Sequence, residues 1–189
     1  MKLIYFHGKR KSTESNHTSQ TALLIQQHFP EVTLLHPVYD TDSCDVAIGK
    51  LDQVVHDALM SSERVVLVGS SLGGFFARHF GDKYDLDYLL INPCLDPWFR
   101  LAKYETVDLE SFKEYRYKMI WNYSQNSVNN KNSRKYVVLG KQDEIIPHTE
   151  FVDAFVENCY TIFINKDMAH RVSDIKEISQ ALSCLVNAH

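Results

Sequence analysis

Short apolar runs alternate along the chain with longer stretches in which apolar positions recur every three or four residues. KLIYF (Lys2 to Phe6) has the composition of a buried strand, and TSQTALLIQQHF after it carries a helical pattern that Pro30 ends. EVTLL (Glu31 to Leu35) reads as a second strand. Ser43 then stands where a helix cap belongs, ahead of Ala47, Ile48, Leu51, Val54, Val55, Ala58 and Leu59 on one helical face. RVVLV predicts strand three, GGFFARHF a helix, LDYLLI strand four, KYVVL strand five, HTEFVDAFVEN a helix, YTIFI strand six and Asp174 to Val186 a closing helix. Apolar strands alternating with helices predict an α/β fold: a six-stranded, mainly parallel sheet covered on both faces.

The alternation stops between Pro93 and Arg134. That segment is too long for an ordinary connection and is rich in Tyr, Asn, Lys and Glu, with Trp98 and Trp121. Its first half, WFRLAKYETVDLESFKEYRYKMIW, predicts one or two short helices, and NYSQNSVNNKNSR is polar throughout. It reads as a cap-like insertion, about residues 94–134, within a single domain spanning 1–189. A chain of 189 residues with 44% hydrophobic content fits one sizeable core.

Charge and cysteine content narrow the function classes. A net charge of −4 and a pI near 6.1 provide no global basic field for nucleic acid or anionic membrane, so a small-molecule partner is expected. Cys44, Cys94, Cys159 and Cys184 are scattered, without a CxxC pair, and no cleavable leader precedes the first strand. A reduced, cytoplasmic protein is expected, with neither disulfide framework nor zinc ribbon. No apolar run approaches the roughly 20 residues that span a bilayer. Oligomeric state is not legible.

The chemistry begins where strand three runs into Gly69-Ser70-Ser71-Leu72-Gly73. A strand followed at once by G-x-S-x-G and a helix is the context of a nucleophile elbow. Such a turn holds its central residue in strained backbone geometry and needs small neighbours on either side. Ser71 is that central residue, and Ser70 is expected to point elsewhere. At the helix start the Leu72 backbone NH faces a developing oxyanion. An ordinary strand-to-helix turn is the alternative.

A serine hydroxyl needs a base to take its proton and an acid to orient the base. Loops at the carboxyl ends of parallel strands converge at one sheet edge. Asp143 follows strand five in GKQDEIIP and His170 follows strand six in NKDMAHRVSD, giving the order Ser, Asp, His. Glu144 and Asp167 compete with Asp143 by loop position. Of nine histidines, only His7 and His170 lie just beyond strands near the centre of that edge. His7 reads as a brace for its own loop. The second oxyanion NH is assigned to Lys9, or alternatively to Gly8, in the loop after strand one. Lys9, Arg10 and Lys11 form a basic cluster that reads as a solvated loop, or as a site for an anionic acyl group. Trp98, Phe99, Tyr104, Tyr115 and Tyr117 are candidates for shaping an acyl pocket.

YFHG, VGSSLGG, INP, GKQDEIIP and MAH together resemble the YqiA/YcfP-type small bacterial esterases of the α/β-hydrolase superfamily, nearly end to end. The resemblance implies an α/β-hydrolase sheet of order 2-1-3-4-5-6. It also implies Ser71 as nucleophile, Asp143 as acid, His170 as base and activity on short acyl esters or thioesters. Two positions depart from that pattern. Lys9 stands where an apolar or aromatic residue is common, and KDMAHR lacks the glycine often found near the histidine. Neither a metal nor a cofactor is expected. A thioesterase or amidase would use the same residues, and a non-catalytic binding module on this fold would keep the elbow with its pocket closed.

Overall fold

The computed structural model describes residues 1–9, 19–115, 132–146 and 152–187. The chain runs β1 (Lys2–Phe6), α1 (Gln20–His28), β2 (Thr33–Leu35), α2 (Cys44–Leu59), β3 (Val65–Ser70), α3 (Leu72–Tyr84), β4 (Tyr88–Ile91) and α4 (Pro97–Arg100). A helical segment over 109–115 (α5) follows, then β5 (Lys135–Gln142), α6 (Val152–Glu157), β6 (Thr161–Ala169), a 3-10 turn (Ile175–Glu177) and α7 (Ser179–Val186). All pairings in the six-stranded sheet are parallel, in the order β2-β1-β3-β4-β5-β6 that the family resemblance implies. Arg10, Lys11, His17, Tyr117, Trp121, Pro147 and His148 lie outside the described residues, as does the Asn-rich part of the insertion.

Strand alternation sends side chains to two separate cores. Ile4, Phe6, Leu67, Leu90, Val137 and Leu139 pack with α2 and α3 on one face. Leu3, Tyr5, Val66, Val68, Leu89, Ile91 and Val138 pack with α1 and α7 on the other. Covering both faces is why the strands read as continuous apolar runs. No helix among the described residues is long and apolar enough to cross a membrane.

Two strand boundaries and one helix cap depart from the sequence expectation for identifiable local reasons. Strand four begins at Tyr88, two residues later than LDYLLI predicted. Leu86 is used by the end of α3 instead, where Asp85 adopts a left-handed φ of 52° and the Leu86 amide donates to the Gly81 carbonyl at 3.0 Å. Ser43 precedes α2 but makes no side-chain cap; the hydroxyl of Ser111 accepts from the Cys44 amide at 3.0 Å. The start of α2 is therefore capped by the insertion. Strand six extends past Ile164 to Ala169 through a break in register: Gly140 pairs Asn165, whereas Gln142 pairs Ala169. The Asn165 side chain accepts from the Asp167 and Met168 amides at 2.9 and 3.1 Å and holds the bulge.

The described first half of the insertion joins the α2/α3 core. Leu101, Val107 and Phe112 are buried, and the Phe112 ring meets Phe75 and Phe76. His79 on α3 stands edge-on to Phe80 and Tyr115 at 4.9 and 5.7 Å between ring centroids. Burial pushes its pKa down from 6.5 to about 4, with Lys83 adding to the shift and Asp52 and Asp82 opposing it. A histidine held neutral in the fold takes up its proton more readily once unfolded. Stability therefore falls as pH drops from about 6.5 toward about 4, and is unaffected by this group above that window. Urea midpoints should decline between pH 7 and pH 5, and His79→Gln should lessen that decline; equal slopes in the two proteins would assign the loss to other groups.

Candidate active site

Ser71 is the first residue after β3 and precedes the first turn of α3, with φ 52° and ψ −121°. Positive φ is costly for a side-chain-bearing residue and persists only where its surroundings fix it. Here the Ser71 amide donates to the Ile91 carbonyl at 2.9 Å, and the Ser71 carbonyl accepts from the amides of Gly74 and Cys94, both at 2.9 Å. Packing leaves no room at the flanking glycines. A Cβ on Gly69 would overlap the Gly73 carbonyl, and one on Gly73 would overlap the Phe6 carbonyl oxygen. Ser70 turns the other way, its hydroxyl 2.7 Å from the Tyr5 hydroxyl. Nearby Cys94 is buried, which pushes its thiol pKa up to about 12 and keeps it protonated.

His170 follows β6 and Asp143 follows β5. The structure brings both to Ser71. His170 Nε2 lies 3.0 Å from Ser71 Oγ, and His170 Nδ1 lies 3.0 and 2.9 Å from the two Asp143 carboxylate oxygens. The side chains of His170 and Asp143 are only 8% and 1% exposed, so this chain of polar contacts is shielded from water. A carboxylate accepts only, which assigns the imidazole proton to Nδ1 and leaves Nε2 to accept from the Ser71 hydroxyl. Asp143 Oδ1 also accepts from the amides of Ile145 and Ile146 at 2.8 and 2.9 Å. The competing carboxylates are placed differently. Glu144 accepts from the His170 backbone amide at 3.3 Å, and Asp167 is exposed on the β6 bulge.

Asn92, just past β4, carries no sequence signature beyond its place in INP. It is fully buried with φ 41°. Its side-chain oxygen accepts from the Gly140 amide at 2.7 Å, and its side-chain nitrogen donates to the carbonyls of Ala169 and His170 at 2.8 and 3.2 Å. The local signal was a polar residue directly after an apolar strand, beside a proline.

On the opposite side of Ser71 lies the loop after β1. Gly8 is so close that a Cβ there would sit 3.0 Å from the Ser71 Cβ and 3.5 Å from its Oγ. His7 is buried, bonds the Gly8 carbonyl through Nδ1 at 2.8 Å and stacks on Tyr39 at 4.1 Å, while the Tyr39 hydroxyl donates to the His7 carbonyl. Leu72 is buried as the first residue of α3, where helix amides lack intrahelical acceptors. The Lys9 ammonium pairs with Asp42, lies 3.5 Å from the Thr41 hydroxyl and sits 5.7 Å from the centre of the Tyr104 ring. Of the predicted pocket residues, Trp98 packs partly buried against the core, whereas Phe99 is 68% exposed beside Arg100. Among the described residues no group of three His, Cys, Asp or Glu side chains is arranged to hold a metal.

The sequence model of the uncharacterised protein family UPF0227 matches residues 2–186. The UPF0227 protein YcfP of Escherichia coli O9:H4 is 25% identical over 179 residues, covering 92% of both chains. Est1E from Butyrivibrio proteoclasticus, solved with ferulic acid bound, is similar with a TM-score of 0.74 at 14% identity, over 98% of this chain and 88% of that one. Mouse alpha/beta hydrolase domain-containing protein 10 is similar with a TM-score of 0.65 at 15% identity, over the same shares, 98% and 88%. These structural likenesses establish the α/β-hydrolase fold. With a family match running almost the full length and YcfP among its relatives, the chain belongs to the UPF0227 family.

Proposed function

We propose that the protein is a serine hydrolase that cleaves carboxylic esters of small acyl groups through an acyl-enzyme. The observation that carries this reading is the continuous hydrogen-bonded path from Ser71 Oγ through His170 to Asp143. The Ser71 oxygen attacks the ester carbonyl as its proton passes to His170 Nε2, and Asp143 stabilises the resulting imidazolium. His170 then gives that proton to the departing alcohol. Water, deprotonated by the same imidazole, attacks the acyl-serine, and the imidazolium returns that proton to Ser71 Oγ as the acid leaves. The backbone amides of Leu72 and Lys9 bind the oxyanion in both steps, each worth roughly 3 kcal/mol.

Support for the acyl side comes from the insertion, which this reading treats as a partial cover. Trp98 and the exposed aromatics Phe99 and Tyr104 lie on it, at 68% and 42% exposure for the last two. With its charge balanced by Asp42, Lys9 offers no net positive charge to attract an anionic acyl group, which supports a neutral one. Est1E, a neighbour of the same fold, binds ferulic acid, which supports a small acyl group as the substrate class.

Three outcomes test the reading. Ser71→Ala should lose hydrolysis of a short aryl ester by about 10⁶-fold and fail to react with a serine-directed phosphonate, while Ser70→Ala keeps measurable turnover. Full activity in Ser71→Ala places the nucleophile elsewhere. Asp143→Asn should lower kcat by about 10⁴-fold by favouring the wrong imidazole tautomer, with Asp167→Asn mild; the reverse ranking would move the acid to the β6 bulge. Across an aryl-ester series, kcat/KM should rise over the first few acyl carbons, at about 0.8 kcal/mol per buried methylene, and then fall. Trp98→Ala should flatten that optimum, whereas a steady climb to long chains would refute a shallow pocket.

A further inference from the structure

We propose that Asn92 is a positioning residue that seats His170 over Ser71. β4 ends at Ile91, and the chain turns away at Asn92 through a left-handed φ of 41°. The departing residue still completes the ladder to β5, its amide donating to the Val138 carbonyl at 3.0 Å. Its carboxamide then takes the place of the next peptide, because Oδ1 accepts from the Gly140 amide at 2.7 Å. The other end of that carboxamide reaches past β5 to β6. Nδ2 donates to the Ala169 and His170 carbonyls at 2.8 and 3.2 Å.

The reach is possible because β6 itself comes to meet it. The backbone at Met168 and Ala169 occupies the space where a side chain on Gly140 would be, since a Cβ there would overlap the Met168 carbonyl. One buried amide thus ties three strand ends together, and the third is the peptide that carries His170. Both polar ends of Asn92 are used in the fully buried position, so neither can be exchanged for a group of opposite hydrogen-bonding sense without loss. The role assigned to Asn92 rests on Ser71, His170 and Asp143 being the reacting unit.

The test uses the full chain with Asn92→Asp, which tolerates the same backbone conformation but presents oxygens to both β6 carbonyls. Two signals are read. The proton between His170 Nδ1 and Asp143 should give a far-downfield proton NMR resonance that needs no substrate, and turnover of a short aryl ester gives kcat and KM. In Asn92→Asp the resonance should broaden or vanish, and kcat should fall by about 10-fold to 100-fold, the scale of a misplacement near 1 Å, with KM within twofold. Asn92→Gly, which also accepts positive φ, should behave in the same way and serves if the aspartate variant does not fold. A folded variant that keeps the resonance and kcat while merely melting earlier would overturn the proposal. Failure of both variants to fold would also overturn it, since Asn92 would then be structural only. A wild-type protein that shows the resonance but no ester hydrolysis would defeat the esterase reading, and the NMR comparison alone would then decide the role of Asn92.

Discussion

His170 and Ser71 belong to strands three places apart in the sheet, which at about 4.8 Å per step separates them by roughly 14 Å. A histidine side chain does not cover that distance, yet Nε2 and Oγ are 3.0 Å apart. The main chain makes up the difference. β6 gains extra residues between its pairings with Gly140 and Gln142, the Asn165 side chain stabilises the bulge, and the missing side chain at Gly140 opens the path. Met168 turns into the apolar core and is fully buried, so the bulge is anchored by packing as well as by hydrogen bonds. Leaning β6 over β5 is the constraint on which the site depends.

The other half of the site is held by close backbone approach. α3 starts so near β1 that only glycine fits at position 73, which brings the loop of His7 and Gly8 against Ser71. Tyr39 and the His7 ring fix successive carbonyls of that loop. Its next residue, Lys9, is tied to Asp42, whose own carbonyl accepts from the Asp108 amide of the insertion at 2.7 Å. The loop and the insertion therefore share one anchor. A change in the insertion's packing would reach the backbone beside Ser71 through two polar contacts, without passing through the sheet.

Much of this was legible in the sequence because it follows from local rules. Apolar runs located all six strands, and the order Ser71, Asp143, His170 came from placing each residue at the end of a parallel strand. What was not legible depended on partners distant in sequence. The Ser43 position announced a helix start correctly, but the group that caps it is Ser111. YTIFI gave the apolar part of β6 and missed its extension, because a bulge is defined by pairing with β5 and KDMA carries no strand pattern. Lys9 read as part of a solvated basic cluster, and nothing near it in sequence announces Asp42. Asn92 was hidden for a related reason: its side chain acts only on backbone groups, and those leave no mark in sequence.

Ser71 and Asn92 close the ends of adjacent strands in the same way. Each adopts a positive φ, 52° and 41°, where the chain leaves the sheet. Each nonetheless extends the ladder by one more bond, from the Ser71 amide to Ile91 and from the Asn92 amide to Val138. The strain of positive φ is thus set against a retained hydrogen bond at both exits, and the chain turns sharply without leaving a buried donor unmet. At Ser71 the turn raises a hydroxyl above the sheet edge. At Asn92 it keeps a carboxamide down within that edge, in the gap between β4 and the leaning end of β6. Repeating one backbone device on neighbouring strands therefore yields two different functions, one group facing the imidazole ring and the other holding the peptide that bears it.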